Sequence, residues 1–317
     1  MLDPERFRPE RILGHGSFGN AGVYRDIKLN KLVAVKSIIF KGEEELAASL
    51  NEVKIMEQMQ SQFIVQYYGC YTKENKLFIV MEYCLKGDLQ KYITRLKEEN
   101  RIISDEEFFD IAAQLASGLD FIHNKVIHRD LKPSNIFITR KNKLKIGDFG
   151  IAYQIDDQNY VNTVAGTRHF LSPEMLMKQS YTEKVDMWSL GIILYIIAEL
   201  NYPFNISNEV ELIKSITKNN PADFVNLKNT AAQQLIISLL DKDPARRPSA
   251  QDILQKPEIA ARIQIWNKPI EINPSLNQYT IRLEELKEEL SENIYNSKQI
   301  NKLHGIFGEL AQMLKEM

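Results

Sequence analysis

The 317-residue chain has few cysteines, no long apolar run and no excess of either charge. Its two cysteines, Cys70 and Cys84, form no Cys-x-x-Cys pair and lie near no histidine at zinc-ligand spacing, so we expect buried free thiols. The longest apolar run, residues 190–198, is far shorter than the roughly 20 residues that a bilayer requires. The net charge is −2, from 40 basic and 42 acidic side chains, so bulk charge does not indicate nucleic-acid binding.

The amino terminus is charged within its first residues and does not resemble a signal peptide, which has an apolar segment followed by small residues. Apolar residues make up 44% of the chain and charged residues 26%, which excludes the disordered, collagen-like and disulfide-scaffold classes. We therefore expect a soluble intracellular protein of the cytoplasm, with association to the cytoskeleton or the nucleus left open.

The spacing of apolar residues changes along the chain from strand-like to helical. Residues 11–40 alternate apolar and polar positions, and residues 42–60 have helical spacing. Short apolar runs follow at 63–68 and 77–81. From Gly87 onward helical patterns dominate, and residues 190–200 are apolar enough for a fully buried helix. The sequence thus predicts an α+β fold, in which a small β-rich lobe with one main helix precedes a larger helical lobe.

The segment Gly14-His-Gly-Ser-Phe-Gly19 is a G-x-G-x-x-G motif, which by itself fits more than one kind of nucleotide site. In a dinucleotide-binding fold the third glycine opens a helix, and an acidic residue follows the next strand. Here the glycines run into strand-like residues, and positions 39 and 40 are Ile and Phe. A glycine loop between two strands can instead fold over a polyphosphate, because its amides approach the oxygens closely. Lys36, at the end of the next strand, would then contact the α and β phosphates.

A carboxylate on the adjacent helix could orient Lys36 through an ion pair. Glu52 is the best candidate, since it flanks an apolar helical stripe that includes Val53 and Met56. In isolation it would be interpreted as one more solvated glutamate. The motifs that follow favour the ion pair.

Two segments carry the residues for phosphoryl transfer: His128-Arg-Asp-Leu-Lys-Pro-Ser-Asn135 and Asp148-Phe-Gly150. This reaction needs an acceptor hydroxyl held in line, a metal ion on the phosphates and cations near the developing charge. Asp130 can accept the hydroxyl proton, and Lys132 can neutralise the γ-phosphate. Asn135 and Asp148 offer the oxygen ligands that Mg²⁺ prefers.

We assign none of the five histidines a catalytic role. His128 is expected to brace the loop through hydrogen bonds and packing instead of acting as the base. The other four have no chemically meaningful spacing to a partner: His15, His123, His169 and His304.

Together these motifs resemble the eukaryotic protein kinase superfamily, whose signature they follow in order from about Arg11 to Pro257. Three further segments match it: Ser172-Pro-Glu174, Asp186-Met-Trp-Ser-Leu-Gly191 and Asp243-Pro-Ala-Arg-Arg-Pro248. The resemblance implies a structural ion pair between Glu174 and Arg247. It also implies that Asp186 supports the catalytic loop from a buried helix.

The resemblance further implies that ATP binds with Mg²⁺ between the two lobes. The residues implied at the nucleotide are Leu13, Gly14, Gly16, Ser17, Phe18, Gly19, Ala21, Ala34, Lys36, Met81, Glu82, Cys84, Asp88 and Phe137. Of these, Leu13 and Ala21 would cover the adenine, Phe137 would lie beneath it and Met81 would close the rear. Backbone groups of Glu82 and Cys84 would bind the base edge, and Asp88 would meet the ribose.

Lys132-Pro-Ser134 and Gly166-Thr167 resemble the serine/threonine class, which implies an enzyme that phosphorylates Ser and Thr hydroxyls of proteins. Residues 79–89, 164–174 and 180–190 are similar to the NIMA-related kinases. Two other readings are a catalytically dead kinase-like scaffold and a small-molecule phosphotransferase. The presence of Lys36, Asp130 and Asp148 argues against the scaffold, and the segments at 172–174 and 186–188 argue against the phosphotransferase.

The pair Arg129-Asp130 resembles the Arg-Asp pair of the kinases that are switched by a phosphate in the activation segment. We expect phosphorylated Thr163 to pair with Arg129 and order that segment. Thr167 is expected to be structural more than regulatory. The dependence on Thr163 should be partial, because Tyr153 stands where the family usually has a second cation.

The predicted domain boundaries follow from these motifs. The kinase domain spans 7–262, with an N-lobe to about 81, a hinge at 82–86 and a C-lobe from 87. Residues 263–280 are predicted to be a linker. Residues 281–317 have the apolar spacing of an amphipathic helix, which could form a homodimeric coiled coil or pack on its own domain.

Overall fold

The computed structural model describes residues 1–16, 19–148, 168–204 and 208–267. An amino-terminal lobe contains a five-stranded antiparallel sheet with the strand order β1-β2-β3-β5-β4. Its strands are β1 (Phe7–Gly16), β2 (Gly19–Asp26), β3 (Lys31–Ile39), β4 (Tyr67–Lys73) and β5 (Lys76–Glu82), and helix α1 (Glu43–Gln58) connects β3 to β4. The predicted β-rich lobe with one main helix is therefore confirmed.

The apolar run at 63–68 enters a strand only at Tyr67. Its first part instead runs beside the second lobe, where the backbone N–H of Val65 donates to the carbonyl of Ile146 at 2.9 Å and that of Ile146 donates to the carbonyl of Phe63 at 2.8 Å. Ile64 between them is fully buried. This short parallel pairing connects the two lobes.

In the described residues of the carboxyl-terminal lobe, helices surround one short antiparallel hairpin, β6 (Ile136–Ile138) and β7 (Leu144–Ile146). Its helices are α2 (Leu89–Glu98), α3 (Asp105–His123), α4 (Pro173–Leu176), α5 (Lys184–Glu199), α6 (Glu209–Lys218), α7 (Thr230–Leu239), α8 (Ala250–Leu254) and α9 (Pro257–Asn267). Ser104 caps α3 in a capping box with Glu107, which satisfies amides at the helix start.

Helix α5 forms the centre of this lobe, as the sequence predicted for residues 190–200. Every residue from Val185 to Glu199 is buried, because its apolar side chains cover all faces of the helix. At Gly191 the helix comes so close to α7 that an added Cβ would lie 2.8 Å from the Cβ of Leu239. Tight packing of this kind fixes the position of the side chains that α5 carries.

Helix α9 continues to Asn267, so the predicted linker from residue 263 begins inside a helix. The fully buried Ile259 and a 2.7 Å hydrogen bond from Arg262 Nε to Asp110 Oδ1 attach this helix to the lobe. The predicted helix at 281–317 lies outside the described residues. Both cysteines are buried and free, as predicted. Within the described ranges, none of the helices has the length and apolarity needed to cross a membrane.

Candidate active site

The carboxylate of Asp186 anchors the start of the loop at residues 128–135. Asp186 of α5 is fully buried, and its two oxygens accept the backbone N–H groups of His128 and Arg129, each at 2.8 Å. Arg129 has a φ of +66°, a conformation that non-glycine residues rarely adopt. The two hydrogen bonds stabilise this sharp turn directly before Asp130.

His123, for which the sequence indicated no role, lies at the carboxyl end of α3 and contacts the same carboxylate. Its Nε2 is 3.0 Å from Asp186 Oδ2. Burial by itself would raise the pKa of Asp186, but the hydrogen bond and charge of His123, with those of the His128 group, lower it below the usual value. Sequence spacing could not indicate this contact, since the two residues are 63 positions apart and only the fold brings them together.

His128 itself braces the loop, as expected. The backbone N–H of Asp130 donates to its Nδ1 at 3.3 Å, which leaves Nε2 to donate to the carbonyl of Gly147 at 3.1 Å. Both ring nitrogens are thereby engaged in the loop structure. The ring connects the loop that carries Asp130 to the segment that carries Asp148.

Asp130, Lys132 and Asn135 form one compact cluster. Lys132 Nζ lies 2.7 Å from Asp130 Oδ2, and Asn135 Nδ2 donates to the same oxygen at 3.0 Å and to the Asp130 carbonyl at 2.9 Å. Asp130 and Asn135 are buried at 4% and 5% exposure, which fixes their side chains. The three residues predicted from the loop motif are therefore brought together by the fold.

Lys36 of β3 reaches across the cleft to Asp148, which follows β7. The Lys36 Nζ to Asp148 Oδ1 distance is 2.8 Å, and Asp148 has a φ of +61°. Burial by itself would raise the pKa of Asp148, but the charge and hydrogen bond of Lys36, with a contribution from Lys132, lower it below its usual value. Asp148 is thus ionised at neutral pH. The predicted ion pair of Lys36 with Glu52 concerns a side chain that lies outside the described atoms.

The residues of the predicted adenine pocket come from both lobes. Across the sheet, Ala21 is the register partner of Lys36, and Ala34 is the partner of Met81. In the second lobe Phe137 forms a bridge with Asp88. The sheet and the hairpin thus place these members of the predicted pocket on both sides of the cleft.

Other residues of this pocket have local contacts of their own. Asp88 is the N-cap of α2 and accepts the backbone N–H of Lys91 at 2.8 Å, while the carbonyl of Cys84 accepts that of Gly87 at 3.1 Å. Leu13 is 40% exposed at the edge of β1. At the glycine loop, Gly16 pairs with Gly19, and the loop tip, Ser17 and Phe18, lies outside the described residues.

The ion pair implied for Glu174 and Arg247 is bidentate and buried. Arg247 Nη1 and Nη2 donate to Glu174 Oε1 and Oε2 at 2.6 and 2.8 Å, and the two side chains are 0% and 3% exposed. Arg247 also donates to the carbonyls of Asp241 and Lys184. The pair joins α4 to the segment before α8.

The predicted regulatory threonines, Thr163 and Thr167, lie outside the described residues together with Tyr153. Arg129, the predicted partner of phosphorylated Thr163, has its guanidinium carbon 5.4 Å from the ring centre of Tyr181. Phosphorylation of Thr163 and the structural role of Thr167 therefore stay predictions.

Residues 7–259 match the family model of the protein kinase domain. The chain belongs to the protein kinase family. Among its relatives, serine/threonine-protein kinase Nek9 of Xenopus laevis is 34% identical, covering 80% of this chain and 27% of the relative. Probable serine/threonine-protein kinase nek2 of Dictyostelium discoideum is 29% identical, covering 88% and 66%. Serine/threonine-protein kinase Nek5 of Mus musculus is 34% identical, covering 80% and 40%.

These relatives confirm the predicted likeness of this kinase to the NIMA-related serine/threonine kinases. They also confirm the bilobal fold expected from the motifs. The kinase chain spans between 27% and 66% of the length of these three relatives. The similarity therefore covers the kinase domain but not the full length of the longer proteins.

Proposed function

We propose that this kinase transfers the γ-phosphate of Mg-ATP to Ser and Thr hydroxyls of proteins. The observation that carries the proposal is the meeting of two groups of residues in one cleft. The sheet supplies Lys36, paired with Asp148 at 2.8 Å, and the catalytic loop supplies Asp130, Lys132 and Asn135 within hydrogen-bond distance of one another. Family membership and the names of the relatives support the same activity.

In this proposal Asp130 is the general base. One of its carboxylate oxygens already accepts hydrogen bonds from Lys132 and Asn135, so it is held in one orientation while an acceptor hydroxyl delivers its proton to the carboxylate. Lys132, only 2.7 Å away, places a positive charge where the transferred phosphoryl group would carry negative charge. Lys36 would hold the nucleotide phosphates, which then compete with Asp148 for its ammonium group.

The residues present fit a magnesium ion. The amide nitrogen of Asn135 is engaged by Asp130, so its oxygen is the end left to act as a ligand. Asp148 is 36% exposed towards the cleft and has a lowered pKa, as a ligand carboxylate must be deprotonated. Bound Mg²⁺ would neutralise charge on the phosphates. Two protein oxygens are a usual number for Mg²⁺, which keeps waters and phosphate oxygens as its other ligands.

The test is a phosphate-transfer assay on the purified full chain with radiolabelled ATP, MgCl₂ and casein. Asp130→Asn should lower the rate by about 10²- to 10⁴-fold, because it removes the base while keeping the size of the side chain. Asp223→Asn, at an exposed position of the second lobe, is the matched control and should leave the rate unchanged. Thermal melting of each variant establishes that it is folded.

Each outcome separates the proposal from the alternatives. Transfer of phosphate to casein by the wild type and the control, but not by Asp130→Asn, supports a protein kinase. Silence in all three, with MgATP binding absent, favours a kinase-like scaffold. Transfer to small alcohols such as choline, but not to casein, would indicate a small-molecule phosphotransferase.

We further propose that residues 281–317 form a homodimeric coiled coil, which the spacing of Leu303, Leu310 and Leu314 supports. Light scattering of the full chain should give twice the monomer mass, and Leu303→Asp with Leu310→Asp should halve it. Lys302→Asp is the control. A monomeric wild type would contradict this proposal. An intracellular, cytoplasmic location also remains a proposal, to be tested by cell fractionation.

A further inference from the structure

A second cleft, of about 560 Å³, lies at the hinge outside the predicted nucleotide pocket. Four segments line it: the start of β3, the loop before β4, the hinge, and the turn between β6 and β7. Of the residues predicted to hold ATP, only Glu82 is among its lining residues. We call this cavity the basic cleft. Its volume lies in the range of ligand-binding pockets.

The floor of the basic cleft is electrically balanced. Lys145 Nζ lies 2.8 Å from Glu82 Oε2 and donates to the carbonyl of Ile64 at 3.1 Å. The Lys145 and Glu82 side chains are only 13% and 24% exposed. Because the pair consists of one cation and one anion in contact, it adds no net charge to the lining of the cleft.

The rim, by contrast, carries three side chains of like charge. Arg140, Lys141 and Lys143 are all exposed and belong to the turn between β6 and β7, and the lining contains no acidic residue besides Glu82. Three hydrogen bonds within the turn fix its backbone: Thr139 N–H to Lys143 O at 2.9 Å, Lys143 N–H to Thr139 Oγ1 at 3.0 Å, and Asn142 N–H to Thr139 O at 3.0 Å. The lining of the cleft therefore has a net charge of +3 on a fixed turn.

Three other lining residues have large apolar side chains. Leu32 and Phe63 are half-buried, and Leu85 in the hinge is 52% exposed. Single exposed apolar side chains are normal on protein surfaces, whereas apolar side chains grouped together and bordered by polar residues are a feature of protein-binding sites. The cleft thus offers both apolar contact and cations.

We propose that the basic cleft binds an acidic peptide segment of a partner protein, with leucine-like side chains against Leu85 and carboxylates along the rim. Charge complementarity selects the occupant: the site has cations but also apolar side chains, and an acidic peptide with apolar residues matches both. A nucleic acid would match the cations and could stack a base on Phe63, but it offers no aliphatic group for Leu32 and Leu85. The site does not depend on catalytic activity, so it can be tested whether or not the chain phosphorylates a substrate.

Fluorescence anisotropy of a labelled nine-residue peptide tests the proposal directly. The probe has glutamate pairs separated by single leucines and contains no Ser, Thr or Tyr, so it cannot be phosphorylated. The triple variant Arg140→Glu, Lys141→Glu and Lys143→Glu should weaken binding at least tenfold. The matched control reverses three exposed lysines elsewhere, Lys28→Glu, Lys178→Glu and Lys214→Glu, and should change the Kd less than twofold.

Two further peptides separate the contributions of charge and apolar contact. Replacing every glutamate of the probe by glutamine should abolish binding, and replacing its leucines by serine should weaken it at least fivefold. Leu85→Ser should have an effect similar to that of the serine peptide. Saturating MgATP should leave the Kd of the original probe unchanged, because the nucleotide occupies the other cleft.

Several results would overturn the proposal. Absence of binding, or equal weakening by the two triple variants, would mean that the rim is not a specific site. Displacement of the probe by MgATP would place it in the nucleotide cleft. A labelled oligothymidylate that binds more tightly than the peptide, and loses affinity only in the rim variant, would assign the surface to nucleic acid instead.

Discussion

Arg247→Met should destabilise this kinase far more than the same substitution at the neighbouring Arg246. The Arg247 guanidinium is fully buried and donates to both oxygens of Glu174, to the Asp241 carbonyl at 2.8 Å and to the Lys184 carbonyl at 3.0 Å. Methionine fills much of the same volume but donates no hydrogen bond. The variant leaves the Glu174 carboxylate charged and buried without its cation.

The expected loss can be estimated from this geometry. Removing one partner of a buried ion pair costs about 3–5 kcal/mol, mostly from the stranded charge. A kinase domain of this size loses roughly 2–4 °C of Tm per kcal/mol. We therefore expect Tm to fall by roughly 6–20 °C. Arg246, which is 74% exposed and 3.8 Å from Asp243, should cost less than about 1 kcal/mol.

Calorimetry and urea unfolding of both variants measure the difference. Arg247→Lys, which keeps a charge but loses the two-pronged geometry, should lie between wild type and Arg247→Met. Adding Glu174→Gln to Arg247→Met should restore part of the loss, because the buried charge is then removed. If the two methionine variants melted within 2 °C of each other, or if the double variant were less stable than Arg247→Met, the account of this pair would be wrong.

Three other predictions follow from the second lobe. His123→Leu should lower kcat about fivefold in the casein assay with little change in the KM for ATP, because Asp186 loses one hydrogen bond worth about 1 kcal/mol. His123→Asn, which can still donate a hydrogen bond, should restore part of the lost kcat. Gly191→Ala should cost about 1–3 kcal/mol in urea unfolding because its Cβ would clash with α7, whereas Gly42→Ser, in open space, should cost nothing. Burial and the positive charge of Arg247 lower the pKa of Lys242 to about 8 in the folded protein. Below pH 8 the protonated lysine therefore lowers the free energy of unfolding, and this cost disappears as the pH rises towards 10.5, the ordinary pKa of lysine. Lys242→Met should raise Tm at pH 7 but not at pH 10.

Much of the fold could be predicted because local patterns carried it. The all-round apolar composition of residues 190–198 predicted the buried helix α5, and the glycine-rich strand pattern predicted the first lobe. The loop motif at 128–135 brought Asp130, Lys132 and Asn135 together because those residues are close in sequence. Short-range constraints of this kind are visible in one sequence without knowledge of the fold.

What the sequence did not predict depends on contacts between distant segments. Lys145 gave no sign that it pairs with Glu82 on the hinge, and Lys242 next to Asp243 has the pattern of a solvated surface lysine. In the structure Lys242 Nζ instead lies 4.2 Å from the ring centre of Phe204, and it makes no hydrogen bond within the described part of the chain. Only packing against rings from another part of the lobe makes this position unusual.

The geometry of the catalytic residues is maintained against local backbone preference. Arg129 and Asp148 both have left-handed φ angles, of +66° and +61°, and such conformations cost roughly 1–3 kcal/mol each in non-glycine residues. The hydrogen bonds from the two backbone amides to Asp186 offset the first, and the ion pair with Lys36 offsets the second. Arg129 directly precedes the proposed base Asp130, and Asp148 is itself a proposed ligand of Mg²⁺. Loss of either support should therefore affect the rate of transfer before it affects the fold, since the strain is local while the core around α5 remains packed.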